Sequence, residues 1–139
     1  MLTSETKVRV RYGETDQMGF VYYGNYAMYY EVARVESLRQ LGLAYKDLEA
    51  QGVMMPVLEN KSRFISPAKY DELLTIKVFV RSKPTVKIKF EYEIYNETAE
   101  LIHQGETLLA FVNMESGRPC RPPEIMANLM EPYFNGAGS

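Results

Sequence analysis

Apolar and charged residues alternate through Lys7-Val8-Arg9-Val10-Arg11-Tyr12, the two-residue period of a strand with one dry face and one wet face. The alternation stops at a glycine-punctuated run, Tyr12-Gly13-Glu14-Thr15-Asp16-Gln17-Met18-Gly19-Phe20-Val21-Tyr22-Tyr23-Gly24-Asn25-Tyr26. Beyond it, residues 26–41 read as a helix about 24 Å long at the standard rise, with Asn25 as the N-cap and Gly42 in the C′ position. The first half of that helix carries Tyr26, Ala27, Met28, Tyr29, Tyr30, Val32, Ala33 and Val35, apolar on nearly every side. Its second half carries Glu36, Arg39 and Gln40 on a polar face. A helix that is apolar all round is buried all round, so the rest of the chain must wrap the N-terminal half.

The remaining pattern supplies a wrapper. Residues 53–66 read as a long strand, interrupted by proline and ended by Pro67. In 73–81, Leu74, Ile76, Val78 and Val80 share one face; in 86–95, Val86, Ile88, Phe90, Tyr92 and Ile94 point one way while Lys87, Lys89, Glu91 and Glu93 point the other. Residues 106–114 form another apolar run, and 123–133 predict a short helix with Pro123 in its first turn. The links at 82–85 and 96–100 are tight. One strand, one long buried helix and four further strands predict an α+β domain in which a five-stranded antiparallel sheet curls around the helix. Such an open sheet has edge strands, which favours pairing with a second subunit.

The totals narrow the picture. The 139 residues suit one domain, expected over 1–134 with a flexible tail at 135–139, and a chain this size buries roughly 68% of its unfolded surface. A net charge of −2 argues against a general nucleic-acid binder. The single cysteine, Cys120, excludes an internal disulfide and reads as an incidental thiol in a loop. The N-terminus has no cleavage signal, and no apolar run approaches the roughly 18 residues of a membrane span. The expectation is a cytoplasmic protein with no membrane insertion. No group of His, Cys and acidic residues has metal-ligand spacing, so no metal is expected. His103, the only histidine, reads as an ordinary strand or turn residue.

Chemistry concentrates in the glycine-marked run. Asp16 stands in a loop directly before a helix start. A carboxylate there can act as base or nucleophile, and the unpaired N–H groups of the helix entry can hold a developing oxyanion. The competing reading is a loop acid that caps the following turn. Tyr26, Tyr29 and Tyr30 read as core, Tyr22 and Tyr23 as pocket-lining, and Glu31 with Arg34 as an i, i+3 surface pair.

The run Arg11-Tyr12, Thr15-Asp16, Gly19, Val21-Tyr22-Tyr23, Asn25-Tyr26 and then Glu31, Ala33 and Arg34, with Pro67-Ala68-Lys69-Tyr70-Asp71-Glu72, Phe90, Tyr92-Glu93, Gly105-Glu106-Thr107 and Gly117-Arg118-Pro119 later on, resembles the hotdog-fold acyl-CoA thioesterases, the family that includes 4-hydroxybenzoyl-CoA thioesterase. The resemblance covers roughly residues 8–133. It implies that Asp16 is the catalytic carboxylate and that the backbone N–H of Tyr23 is the oxyanion donor, with Tyr22 and Gly24 beside the substrate. It implies hydrolysis of an acyl-CoA to free acid and coenzyme A, with no bound cofactor, in a site between subunits of a homodimer or homotetramer. Coenzyme A carries phosphates, so its docking surface should be basic; Lys83, Lys87, Lys89, Arg118 and Arg121 are the candidates. The alternatives are a thioesterase acting on acyl-carrier-protein thioesters and a non-catalytic acyl-CoA-binding module; a third, a cystatin-like cone, fits the all-round apolar helix poorly. Many relatives carry His after the motif glycine, where this chain has Phe20, which removes any proton relay through that position.

Overall fold

The computed structural model describes residues 1–134; the expected tail, 135–139, lies outside the described residues. In chain order the elements are β1 (Leu2–Arg9), α1 (Tyr26–Leu41), α2 (Tyr45–Ala50), β2 (Val53–Met54), β3 (Val57–Phe64), β4 (Leu73–Val80), β5 (Lys87–Tyr95), β6 (Leu101–Ala110), β7 (Val112–Asn113) and α3 (Glu124–Met130). Five strands form one sheet in the order β1-β4-β5-β6-β3, every neighbouring pair antiparallel. Strands β2 and β7 make a separate two-stranded ribbon. The sheet wraps α1, and α3 is the short C-terminal helix: this is the hotdog arrangement.

The period-2 pattern places the core. Leu74, Ile76, Val78 and Val80 of β4 and Ile88, Phe90, Tyr92 and Ile94 of β5 are all buried, while Lys77, Lys87 and Lys89 on the opposite face are exposed. Tyr26, Tyr29, Tyr30, Ala33 and Leu38 of α1 pack against that inner face. Each large apolar side chain buried this way contributes on the order of 2 kcal/mol. The helix stops where expected: Gly42 adopts φ 99°, its N–H donates to the Arg39 carbonyl at 3.0 Å, and Leu43 N–H reaches back to the Leu38 carbonyl at 2.9 Å. A left-handed residue at this point costs glycine nothing.

Several boundaries differ from the sequence pattern. Strand β1 begins at Leu2 rather than Lys7, and β6 begins at Leu101 rather than Glu106. The long strand expected over 53–66 breaks at Met55-Pro56, because Pro56 has no N–H to continue a ladder; its carbonyl instead accepts from Ala110 N–H at 3.1 Å. Helix α2 was not expected; it opens with the Asp47 carboxylate accepting from Ala44 N–H at 2.9 Å. Val86 precedes β5 and is exposed. The first half of α1 is not covered on every side either: Ala27 and Val32 face solvent in the single chain. Edge strand β3 is exposed along its whole length, and one of its two hydrogen-bonding rims has no partner strand among the described residues.

Candidate active site

The loop between β1 and α1 is built around a buried carboxylate. Residues Tyr12–Glu14 form a 3-10 turn, and Glu14 is only 7% exposed. Its Oε1 accepts from Arg11 N–H at 2.9 Å and from the Tyr29 hydroxyl of α1 at 2.9 Å; its Oε2 accepts from Arg11 Nε at 3.1 Å and Nη2 at 2.9 Å. Burial pushes the Glu14 pKa up, but the hydrogen bonds from Arg11 N–H, Tyr29 and the Arg11 guanidinium together outweigh it, so the carboxyl sits below its ordinary value. Glu14 also works through its carbonyl, which accepts from Tyr22 N–H at 2.9 Å and from the Asn25 side-chain amide at 2.9 Å.

That second role corrects the expectation for Asn25. Its backbone is helical, φ −81° and ψ −12°, and its side chain caps no helical N–H. A 3-10 turn, Tyr23–Asn25, runs directly into α1 and moves the helix entry back to Tyr23. Within this turn Asn25 N–H is taken by the Tyr22 carbonyl at 2.9 Å. The N–H groups of Tyr23 and Gly24 find no acceptor among the described residues, as the first donors of any helix do. The partial positive charge of α1 lies behind them. Gly24 lets the Tyr22 ring lie close over the turn: a Cβ there would stand 2.9 Å from that ring, which would have to shift.

Asp16 sits in the next turn. Its N–H donates to the Phe20 carbonyl at 2.8 Å and its carbonyl accepts from Gly19 N–H at 3.0 Å. Its Oδ1 accepts from Met18 N–H at 2.9 Å and, more weakly, from Phe20 N–H at 3.3 Å. The turn-capping role weighed for this residue is therefore present, but it uses one oxygen. Oδ2 has no partner among the described residues. Gly19 closes the turn with φ 79°, and the loop is pinned from behind by Val21 N–H on the Ala68 carbonyl at 2.9 Å and Tyr70 N–H on the Gly19 carbonyl at 3.0 Å.

Asp16, Phe20, Val21, Tyr22 and Tyr23 line one open cavity of about 460 Å³ together with Phe64, Ile65, Ser66 and Pro67. The wall is aromatic: Tyr22 and Tyr23 lie against each other with ring centroids 4.7 Å apart. Tyr23 is 68% exposed and is part of that wall.

None of the five basic candidates lines this cavity in the single chain. Lys83 and Arg121 meet in a separate hollow of about 190 Å³ beside α3. Lys87 is exposed at the start of β5, paired in register with Ala110. Lys89 is engaged by Glu106 at 3.0 Å, and Arg118 is exposed in the turn after β7, its carbonyl accepting from Asn113 N–H at 2.9 Å. No three His, Cys, Asp or Glu side chains converge to hold a metal among the described residues.

Three buried polar groups escaped the sequence reading. Glu14 is one; the spacing Arg11-x-x-Glu14 is the signal that could have marked it, since an acid three residues on can reach back to the turn's first N–H. His103 is in a strand, as one of its two readings had it, but is fully buried. It stacks on Tyr26 at 4.0 Å, and its Nε2 shares a hydrogen bond with the Tyr30 hydroxyl, which also meets Ser62 Oγ at 2.6 Å. Burial pushes its pKa down to about 4. Arg34 does not pair with Glu31; it turns inward, where Nη1 donates to the Tyr92 hydroxyl at 3.1 Å and Thr107 Oγ1 at 3.3 Å.

A family model described as the thioesterase-like superfamily matches residues 10–129. The putative acyl-CoA thioesterase YneP of Bacillus subtilis is 34% identical over 119 residues, 86% of each chain. Among solved structures, a DHNA-CoA thioesterase from Staphylococcus aureus superposes with a TM-score of 0.83 at 34% identity, covering 96% of this chain and 85% of that one. A 4-hydroxybenzoyl-CoA thioesterase variant complexed with 4-hydroxybenzoyl-CoA shares the fold, with a TM-score of 0.81 at 19% identity over 93% of this chain and 99% of the other.

Proposed function

The chain belongs to the thioesterase-like superfamily, and we propose that Asp16 and the Tyr23 N–H are the two halves of its reaction site. The protein is an acyl-CoA thioester hydrolase. The observation that carries the site assignment is the pairing of an aspartate with one unengaged carboxylate oxygen and a helix entry with unengaged N–H donors in one aromatic-walled cavity.

The chemistry follows from that pairing. Oδ2 of Asp16 attacks the thioester carbonyl carbon, giving a mixed anhydride that water then hydrolyses to the free acid and the regenerated carboxylate, or it takes the proton of a water that attacks the carbonyl directly. Either way, negative charge grows on the carbonyl oxygen and the carbon–sulfur bond breaks, the coenzyme A thiolate leaving and taking up a proton. The Tyr23 N–H, backed by the α1 dipole, receives that oxygen; one such donor is typically worth about 3 kcal/mol in the transition state. Oδ1 is held by Met18 and Phe20 N–H, which fixes the carboxylate plane.

The site is completed by a second copy. Strand β3 offers a free, wholly exposed rim, and antiparallel pairing of two such rims about a twofold axis sets the Phe64 end of one chain beside the Val57 end of the other. The Asp16 cavity lies at the Phe64 end. Lys87 lies at the Val57 end, because its register partner Ala110 donates its N–H to the Pro56 carbonyl. Lys87, with Lys83 nearby in sequence, is thereby carried toward the partner's cavity, where the phosphates of coenzyme A need cations. Lys89 is the weakest of the candidates, since Glu106 already neutralises it. A homodimer is the minimum unit and a homotetramer a pair of them. No helix among the described residues is long and apolar enough to cross a membrane; we place the enzyme in the cytoplasm, consistent with its one free thiol at Cys120.

The test is thiol release over a panel of short, long and aromatic acyl-CoAs, with Asp16→Asn as control. Release by the wild type from at least one member and none by the variant is expected. Turnover by Asp16→Asn near the wild-type rate would overturn the assignment.

A further inference from the structure

We infer that Glu14 is a positioning residue for the thioester reaction, tying the Asp16 turn and the Tyr23 N–H to one another and to α1. The inference rests on the site proposed above. Glu14 does not line the Asp16 cavity, so it touches no substrate. One oxygen of its carboxylate holds the Arg11 guanidinium, and the other accepts from both the Arg11 N–H and the Tyr29 hydroxyl on α1. Its carbonyl, on the other side of the same residue, takes the N–H of Tyr22 and the side-chain amide of Asn25. Those two donors flank Tyr23 and Gly24, whose N–H groups stay unengaged. Asp16 follows Glu14 by two positions along the chain, and Thr15 between them is itself tied down, N–H and hydroxyl both donating to the Tyr12 carbonyl at 3.1 Å and 2.7 Å. One residue thus fixes where the reacting carboxylate and the oxyanion donor stand relative to each other. Misplacing reacting groups by about 1 Å can cost on the order of a hundredfold in rate.

A purely structural Glu14 would behave differently. Its replacement would lower the folded fraction and the melting temperature, while molecules that fold would turn over normally. A positioning Glu14 lowers kcat per folded molecule and leaves KM nearly unchanged, because the acyl-CoA contacts are elsewhere.

The variants Glu14→Gln, Tyr29→Phe and their combination separate the two. Glu14→Gln keeps shape and the acceptor for Tyr29 but removes the charge that holds the Arg11 guanidinium. Tyr29→Phe keeps the charge and removes one tether. Folded fraction is set by circular dichroism and melting temperature, and kcat and KM by thiol release. Because small misplacements of reacting groups are costly, kcat is expected to fall about thirtyfold in Glu14→Gln and about fivefold in Tyr29→Phe, with KM within about twofold. The combined variant should lose more than Glu14→Gln alone, since Glu14→Gln leaves the Tyr29 hydrogen bond in place and Tyr29→Phe removes it. A kcat within about twofold of wild type in the folded variants, or losses that enter through KM, would overturn the inference. Should Glu14→Gln not fold, Tyr29→Phe decides alone. The site proposal fails separately: an inactive wild type or an active Asp16→Asn removes it and this inference with it, whereas an inactive Asp16→Asn beside normal Glu14→Gln and Tyr29→Phe removes this inference only.

Discussion

The turn Tyr12–Glu14 and the turn that follows it, 16–20, each carry one acid, and the two acids are used in opposite ways. Glu14 is buried, with both oxygens engaged by Arg11 and Tyr29. Asp16 is half-buried, with Oδ1 engaged by two backbone N–H groups and Oδ2 open to an aromatic-walled cavity. Full satisfaction lowers the energy of an ionised carboxylate and also makes it inert; a nucleophile or base needs an oxygen left over. The contrast teaches that, of two acids in one glycine-marked loop, the saturated one can only scaffold and the one with an oxygen left over is free to react; on the proposed reading Asp16 is the reagent.

The contrast breaks most readily at Glu14. Glu14→Ala strands the buried Tyr29 hydroxyl and the Arg11 N–H, and each unmet donor costs about 1–3 kcal/mol. A stability loss of about 3 kcal/mol is expected by urea unfolding, against less than about 0.5 kcal/mol for Asp16→Ala, whose lost contacts lie at the surface. Equal losses at the two positions would erase the distinction.

Acid sensitivity sharpens it. Glu14 has a depressed folded pKa, so its contribution is present above the unfolded value of 4.5 and is lost as pH falls through the lower folded value. His103 acts in a different window. Its folded pKa of about 4 lies below the unfolded 6.5, so between these values the unfolded chain binds the proton and the folded chain does not; stability falls as pH falls from 6.5 toward 4. At pH 5 this amounts to about 2 kcal/mol. Melting temperature against pH should therefore decline in two stages, the upper one flattened in His103→Phe and the lower one in Glu14→Gln. A single decline unaffected by His103→Phe would contradict the burial account of that residue.

How far the sequence carried this picture depends on where each residue's reason lies. Local periodicity located α1 to the residue, Tyr26–Leu41, and the inner faces of β4 and β5, because those elements are defined by which side is apolar. It missed the first half of β6, where Leu101-Ile102-His103-Gln104-Gly105 carries a histidine and a glycine. Both are explained by a residue on another element. Tyr30 bonds His103, and its hydroxyl would lie 2.2 Å from a Cβ at position 105. Arg34 read as a surface partner for Glu31 because its acceptors, Tyr92 and Thr107, arrive from β5 and β6. Asp16 stands out from its loop and its family motif, which with the open Oδ2 support its proposed role; Glu14 does not stand out, since its meaning comes from Tyr29 on the next helix.

The smallest expected effect concerns the wall of the cavity rather than either acid. Phe20 stands at the edge of the Asp16 cavity and is bridged to Lys69 behind it. Phe20→His should leave the melting temperature within a few degrees and shift the ratio of kcat/KM between long and short acyl-CoAs by about three- to tenfold, since a methylene or two of lost apolar contact is worth about 1 kcal/mol. An unchanged chain-length profile would remove Phe20 from substrate selection.

The division of labour between the two acids is tested most directly by calorimetric titration of Asp16→Asn with an acyl-CoA that the wild type hydrolyses, followed by assay of the same mixture for free thiol. The account predicts a stable complex, with a dissociation constant within about threefold of the wild-type KM, and no thiol released above the uncatalysed rate. Thiol release within tenfold of the wild-type rate, or loss of binding together with turnover, would contradict it.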